Sequence, residues 1–371
     1  MVIGSRDDAE RALARALSRH IGYTSGAYDL KRIFSVLDIF HDRTSVYRDE
    51  LVALLGQGVP EDSPDALSIE YRSDILSFAT SMGLVEIVSA REAKLARFAA
   101  TELGRSFLGA RALDDPKFTG FYAAQVVLRA DADFIVPILA FSRGGARAAL
   151  QTSFVEFQKR LREVRLEWLL ANFKEPILFE RVASHIPWLR RKKASGALYE
   201  AEIPTLNTAR HHATPRLGWL EQLGLLNRKD QSLTSFGHDV VNALDIDTYF
   251  WLAPPEEALR TLRLDAPPPG QPEDALNFAG HTAPPSEGQA IALVADVAEI
   301  MTRGFSAGKL VHASQASLLL PIEYIRYRSY VDGVEYNWSS ILELLFSTYR
   351  GVFDRYSAHT GKIGFYRVVN Q

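Results

Sequence analysis

One stretch of this chain occurs twice, and that repeat constrains the fold more than any other feature. Leu76–Val85 reads "LSFATSMGLV" and Leu217–Leu226 reads "LGWLEQLGLL". At an offset of 141, Leu76 falls on Leu217, Phe78 on Trp219, Met82 on Leu223, Gly83 on Gly224 and Leu84 on Leu225. The apolar spacing predicts an amphipathic helix in each copy. Each glycine stands where a helix ends in a left-handed residue. Ser73 falls on Thr214, both good N-cap types, and Pro215 fits a first helical position, where its missing N–H is harmless.

The likeness continues downstream. Each copy passes through a short apolar segment, a charged turn and a second apolar segment. A Thr-x-x-Gly then opens another helix, and the first hairpin is eight residues longer than the second. Upstream, two helical patterns precede each copy: "LKRIFSVLDIF" with "VYRDELVALLG", and "VRLEWLLANF" with "ILFERVASHI". Helix, helix, helix, β-hairpin, helix is the order of a winged helix-turn-helix. The expected fold is therefore mainly α with small β-hairpins: tandem winged helix-turn-helix modules plus a small helical C-terminal domain. The boundaries read as an N-terminal helix and first module over 1–112, a helical connector over 113–160 and a second module over 161–252. A Pro-rich linker follows over 253–288, and the C-terminal domain spans 289–371. The linker rests on Pro254, Pro255, Pro267, Pro268, Pro269, Pro272, Pro284 and Pro285, which exclude a long helix or a central strand.

Composition excludes several classes. The chain has 371 residues, 47% hydrophobic and 23% charged, as in a globular protein. There is no cysteine, hence no disulfide scaffold, thiol nucleophile or sulfur-ligated zinc, and a reducing, cytoplasmic setting is expected. No apolar run reaches the length of a membrane helix. Asp7, Asp8 and Glu10 interrupt what would be the basic segment of a signal peptide, and "DAERALARALSRH" reads instead as an amphipathic surface helix.

The formal net charge is −3, so bulk charge does not point to nucleic acid. Its distribution does. Residues 185–230 hold eight Lys/Arg against four Asp/Glu, whereas 254–300 hold two Arg against eight Asp/Glu. Within the basic region, Asn207, Thr208, Arg210, His211, His212 and Arg216 lie in or just before the second repeated helix. A helix start offers free N–H groups to phosphate, and Arg and Asn read guanine and adenine edges. Arg190, Arg191, Lys192 and Lys193 form a cation run suited to phosphates, as do Arg228 and Lys229 at the tip of the second hairpin. In the first copy the corresponding positions are Tyr71, Arg72 and Ser73, with Arg91, Lys94 and Arg97 on the longer hairpin. Glu70 and Glu92 dilute that field, which leaves weaker DNA binding or a protein partner open.

The string "SDILSFATSMGLVEI … FAATELGRSFL" resembles the winged-helix modules of bacterial restriction systems, in particular the DNA-recognition half of FokI-like type IIS restriction endonucleases. The similarity covers roughly 30–245. It implies DNA reading within a restriction or anti-phage defence system. Those enzymes add a nuclease with a Pro-Asp … Asp/Glu-x-Lys metal site. Here "VDGVEYNW" supplies Asp332 and Glu335 without the lysine.

Other motifs carry less. Adjacent His211 and His212 point apart on any regular backbone and lack a third ligand at suitable spacing. Gly304-Phe305-Ser306-Ala307-Gly308 matches G-x-S-x-G, but the Ala-rich segment before it reads as helix, whereas a nucleophile elbow needs a strand there. The same region misses a phosphate loop, with Leu310 where Ser or Thr should bind magnesium. Tyr324, Tyr327, Tyr330, Tyr336 and Trp338, interleaved with Arg326 and Arg328, could stack on bases, but such spacing is commoner in a core. Arg355 and His359 resemble a nuclease pair only loosely. The segment 339–356 is amphipathic and could close a domain or join a homodimer.

The reading is thus of a non-catalytic double-stranded DNA-binding protein, without cofactor or metal, whose protein partner carries nuclease, helicase or ATPase activity. A nuclease with an unrecognised C-terminal metal site, a winged-helix assembly scaffold and a transcription regulator remain as alternatives.

Overall fold

The computed structural model describes residues 5–369 apart from 20, 22–28, 58–67, 90–95, 143–146, 192–198, 244–260, 263–282, 311–313 and 357–363, and apart from the side chains of 89, 147–152, 208–210 and 243. The described residues form thirteen α-helices and three small antiparallel sheets. That is the mainly α class with small β-hairpins that the repeat predicts. The Pro-rich linker falls almost wholly outside the described residues.

The chain divides into two units, and the division differs from the sequence-based boundaries. One unit comprises 29–126 and 278–371, so the first repeat copy folds with the C-terminal region. The other comprises 1–28 and 127–277, so the N-terminal helix folds with the second copy.

In the first of these units, α2 (Leu30–Ser35) starts on an Asp29 cap and continues as a 3-10 turn over Val36–Phe40. Val46–Tyr47, expected as helix, is strand β1, and α3 (Arg48–Leu54) follows it. Then come α4 (Ile69–Ser81), β2 (Val85–Ser89), β3 (Arg97–Ala100) and α5 (Glu102–Arg111). The sheet order is β1-β3-β2, with Val46 opposite Phe98. A two-residue strand is too short to show alternation, and β1 exists because β3 offers it a free edge.

After α6 (Pro116–Phe141) and the second unit, the chain returns as α11 (Glu287–Gly308), β6 (Lys309–Leu310), β7 (Gln315–Ser317), α12 (Leu319–Asp332), α13 (Trp338–Thr348), β8 (Phe353–Tyr356) and β9 (Phe365–Val368). The strands pair in the order β6-β7-β9-β8. The purely helical C-terminal domain expected from sequence is therefore corrected: it contains a four-stranded sheet, of strands two to four residues long.

The G-x-S-x-G string closes α11, and its glycines have a packing role. A Cβ on Gly304 would meet Leu320 Cδ2 at 2.5 Å, and one on Gly109 of α5 would meet the Gly304 carbonyl oxygen at 3.0 Å. These glycines let two helix backbones approach closely. The C-terminal aromatics are core: Tyr324 and Tyr327 are buried against Phe118, with ring centroids at 5.2 and 5.5 Å. Tyr336 is buried as well, and its hydroxyl donates to Asp332. Arg326 pairs with Glu323, and Arg328 with Asp296 and Asp332.

In the other unit, α1 (Arg6–Leu17) is capped by Ser5 and buries Leu13 and Leu17 with Phe179, Val182 and Trp188 around α8 (Pro176–Ser184). It is more core than surface helix. α7 (Arg147–Asn172) precedes α8. A hairpin of β4 (Leu189–Arg191) and β5 (Tyr199–Ala201) separates α8 from α9 (Leu206–Gln222), and α10 (Ser235–Ala243) follows.

Candidate nucleic-acid interface

The repeat holds at atomic level. Gly83 and Gly224 end their helices with φ of +73° and +70°, the left-handed region that glycine enters without a Cβ penalty. Leu84 N–H donates to the Ala79 carbonyl at 3.0 Å, and Leu225 N–H to the Leu220 carbonyl at 2.8 Å. The Thr101 and Thr234 hydroxyls each donate back to the helix-ending glycine carbonyl at 2.6 Å, and each accepts the N–H of the residue three ahead, Gly104 or Gly237, at 3.0 Å. A Cβ on Gly104 or Gly237 would sit 2.1 Å from the Leu84 or Leu225 carbonyl oxygen. One joint of two glycines, a leucine and a threonine is therefore built twice, and it fixes where each repeated helix ends and the next begins. The second copy reduces its hairpin to a single bridge, Leu226 opposite Leu233.

The helix starts differ from expectation. α4 begins on a Ser68 cap, so Ser73 lies within the helix. α9 begins at Leu206, so Thr214 and Pro215 are internal. Pro215 leaves the His211 carbonyl without its helical donor, and His211 is exposed, so water can replace that bond.

α9 presents Asn207, His211 and Thr214 along one exposed face. Thr208 and Arg210 lie on the same helix with side chains outside the described set. His212 is partly buried, its ring centroid 4.9 Å from that of Phe134. Burial, then the Arg216 and Arg162 charges, lower its pKa to about 4, so the ring is neutral near pH 7.

Arg216 is not available to DNA, which corrects the expectation from sequence. It is 0% exposed and paired with the equally buried Asp131 of α6. A buried charge needs a partner, and the Asp131 carboxylate supplies it.

Arg228 and Lys229 are exposed in the turn after α9, where Asp230 folds back on Ser232. Arg190 and Arg191 are exposed on β4 but pair with Glu202 and Glu180 at 2.6 and 3.6 Å. Lys192 and Lys193 lie outside the described residues, as do Arg91 and Lys94. Arg97 on β3 lies over the Tyr47 ring, 5.1 Å from its centroid.

On α4, Tyr71, Arg72 and Ser73 are all half-buried. Desolvation raises the Tyr71 pKa. The exposed row is instead Glu70, Asp74, Ser77 and Ser81. Two carboxylates on this face repel phosphate, whereas the exposed row Asn207, His211 and Thr214 of α9 carries none.

Asp7, Glu10 and His185 bring one ligand atom each within 4.8 Å of one another. Arg11 contacts Asp7 at 3.0 Å, and Arg181 and Arg6 contact Glu10 at 3.0 and 3.7 Å. Three guanidiniums against two carboxylates leave little field for a metal cation.

Sequence reasoning missed the buried charge network of α6, α7 and α9. Asp133 takes two hydrogen bonds from Arg165, at 2.6 and 2.8 Å, and one from the Arg19 N–H at 2.9 Å. A signal was present: Asp131 and Asp133 interrupt the apolar run from Phe121 to Phe141, and carboxylates in such a run require buried partners. No protein-family model, curated protein or solved structure matches the chain.

Proposed function

We propose that the chain is a double-stranded DNA-binding protein built on tandem winged helices, with no chemistry of its own. Helix, strand, helix, helix and a hairpin, with strand order β1-β3-β2, is the arrangement of a winged helix-turn-helix and supports that reading of the first copy. The shared glycine–threonine joint supports the same reading of the second.

The observation that carries DNA binding is the surface of the second copy. α9 offers an exposed row of Asn207, His211 and Thr214, an amide, an imidazole and a hydroxyl able to meet base edges, and the turn that follows carries Arg228 and Lys229. Arg190 and Arg191 are exposed but paired with Glu202 and Glu180, so they add to the cationic set only where phosphate displaces those carboxylates. By its resemblance to restriction-enzyme recognition regions, the chain is the recognition component of a bacterial restriction or anti-phage system, and a partner protein supplies nuclease or ATPase activity.

The acidic row on α4 favours a second role for the first copy, contact with that partner. Glu70 and Asp74 suit a basic protein surface and oppose a phosphate backbone.

The test is duplex binding by fluorescence anisotropy across a salt series, with wild type beside Arg228→Ala/Lys229→Ala and Arg190→Ala/Arg191→Ala. Each lost phosphate contact flattens the slope of log affinity against log salt by about 0.9. A chain that retains no duplex at low salt defeats the proposal.

A further inference from the structure

The C-terminal part of the unit formed by 29–126 and 278–371 repeats the element order of the first copy without repeating its sequence. α11 comes first, then β7, α12 and α13, then the hairpin of β8 and β9. In the sheet, β7, β9 and β8 are neighbours in that order, as β1, β3 and β2 are. In both regions the strand ahead of the helix pair therefore joins the second strand of the hairpin. Val46 stands opposite Phe98, and Ala316 opposite Tyr366. β6 is an addition on the outer edge of β7. Helix, strand, helix, helix and hairpin, paired in this way, is the arrangement that supports a winged helix in the first copy.

The joints agree as well. Gly351 lies in the left-handed region, with φ +92°, two residues before β8. Gly83 lies two residues before β2, and Gly224 two before the bridge at Leu226. α12 ends on Gly333 with φ +64°, and Asn337 caps α13 by accepting the Ser340 N–H at 3.0 Å. Residues 333–337 thus form the turn between the two helices. Phe305 of α11 and Phe353 of β8 pack on Tyr366, with ring centroids at 5.8 and 6.3 Å. The Tyr366 hydroxyl donates to the Met301 carbonyl at 3.0 Å, which ties the hairpin to α11.

α13 stands in the place of a recognition helix. It buries Ile341, Leu342 and Leu345, and it exposes Ser340, Glu343, Leu344 and Ser347. Those four positions are i, i+3, i+4 and i+7, which a helix docking into a protein groove fills with apolar anchors. Here one of the four is apolar. Two hydroxyls and a carboxylate suit base edges instead: serine bonds any base, and glutamate accepts from the cytosine amino group.

Cations flank the helix. Arg350 follows α13 and Arg355 lies on β8; both are exposed, and neither forms an ion pair among the described residues. The Arg355 guanidinium carbon is 5.5 Å from the Phe346 ring centroid, which sets it beside α13. Arg367 is committed to Asp354 at 2.6 Å. Arginines at the end of a recognition helix and on its hairpin are placed for phosphates, which fix register while the helix meets the bases.

We infer that α11 to β9 form a third winged-helix module, and that α13 with Arg350 and Arg355 is a further contact for duplex DNA. The inference rests on the reading of the chain as a duplex-binding protein, but not on α9 as the reader.

The test is fluorescence anisotropy of the full chain with mixed-sequence duplexes across a salt series. Arg350→Ala/Arg355→Ala is expected to flatten the slope of log affinity against log salt by up to about 1.8. Ser340→Glu/Ser347→Glu adds two carboxylates at exposed positions, and is expected to weaken binding at low salt by about tenfold or more with an unchanged circular dichroism spectrum. An unchanged slope in the arginine pair, or unchanged affinity in the serine pair, overturns the inference and makes α13 a protein-facing helix. Arg228→Ala/Lys229→Ala in the same series separates the two readings: a flatter slope there alone keeps DNA binding and removes it from α13. A wild type that retains no duplex at low salt overturns both.

Discussion

The Asp131 carboxylate and the Arg216 guanidinium meet in a two-point pair, one arm Nη2 to Oδ1 at 2.8 Å, with both side chains fully out of water. Asp131 stands at a break in α6, with φ −135° and ψ 25°. It also accepts the Ile21 N–H at 2.7 Å. Arg216 in turn donates to the Ile21 carbonyl at 2.7 Å and the His212 carbonyl at 2.8 Å, and lies 4.2 Å from the Phe134 ring centroid. Two residues 85 positions apart thereby fix α9 to α6 and to the segment after α1.

Arg216→Met leaves Asp131 as an uncompensated buried charge. The expected loss is about 3–5 kcal/mol of stability, read as a lower urea midpoint. The double variant Asp131→Leu/Arg216→Met removes both charges and is expected to recover more than half of that loss. A double variant no more stable than the single would mean that the pair is not the anchor of α9.

The repeated joint predicts a graded response to alanine. In Gly104→Ala or Gly237→Ala the new Cβ meets a backbone oxygen that cannot turn away, so each is expected to lose about 2–3 kcal/mol or more. In Gly83→Ala or Gly224→Ala nothing stands within 4 Å of the new Cβ, and the loss is limited to the left-handed backbone, about 1–2 kcal/mol. Thermal unfolding of the four variants orders them, and a reversed order would contradict the shared geometry.

His212 gives a pH dependence with a definite sign. An unfolded histidine takes up its proton near pH 6.5, whereas burial and two neighbouring guanidiniums hold the folded one near 4. Between those values the unfolded chain binds more protons, so stability falls as pH drops from about 6.5 to about 4. Discounted for partial exposure, the contribution is about 1–2 kcal/mol. His212→Gln is expected to flatten the fall in urea midpoint over that window relative to wild type. Parallel curves for the two proteins would remove His212 as the cause.

The surfaces of the two copies can be tested separately by removing charge from each. Glu70→Ala/Asp74→Ala is expected to leave duplex affinity within about twofold of wild type, while removal of Arg228 and Lys229 flattens the salt slope by up to about 1.8. A large change in duplex affinity on neutralising α4 would place DNA on the first copy as well.

The sequence by itself determined the parts of this protein that rest on short-range geometry. A left-handed glycine, a threonine cap and a second glycine under a carbonyl are each local requirements, so they show as the matched Gly83/Gly224, Thr101/Thr234 and Gly104/Gly237 positions. The exposed polar row of α9 was legible for the same reason, through Asn207 and His211. Tertiary structure decided the rest. Pro215 reads as a helix start until packing extends α9 back to Leu206 and exposure of His211 makes the missing bond tolerable. β1 and the C-terminal strands are too short to show a period and form only where another edge meets them. Arg216 reads as a free cation beside His211 and His212, yet it belongs to Asp131. Local spacing reports that a carboxylate within an apolar run must find a partner, but which cation reaches it depends on how distant helices pack.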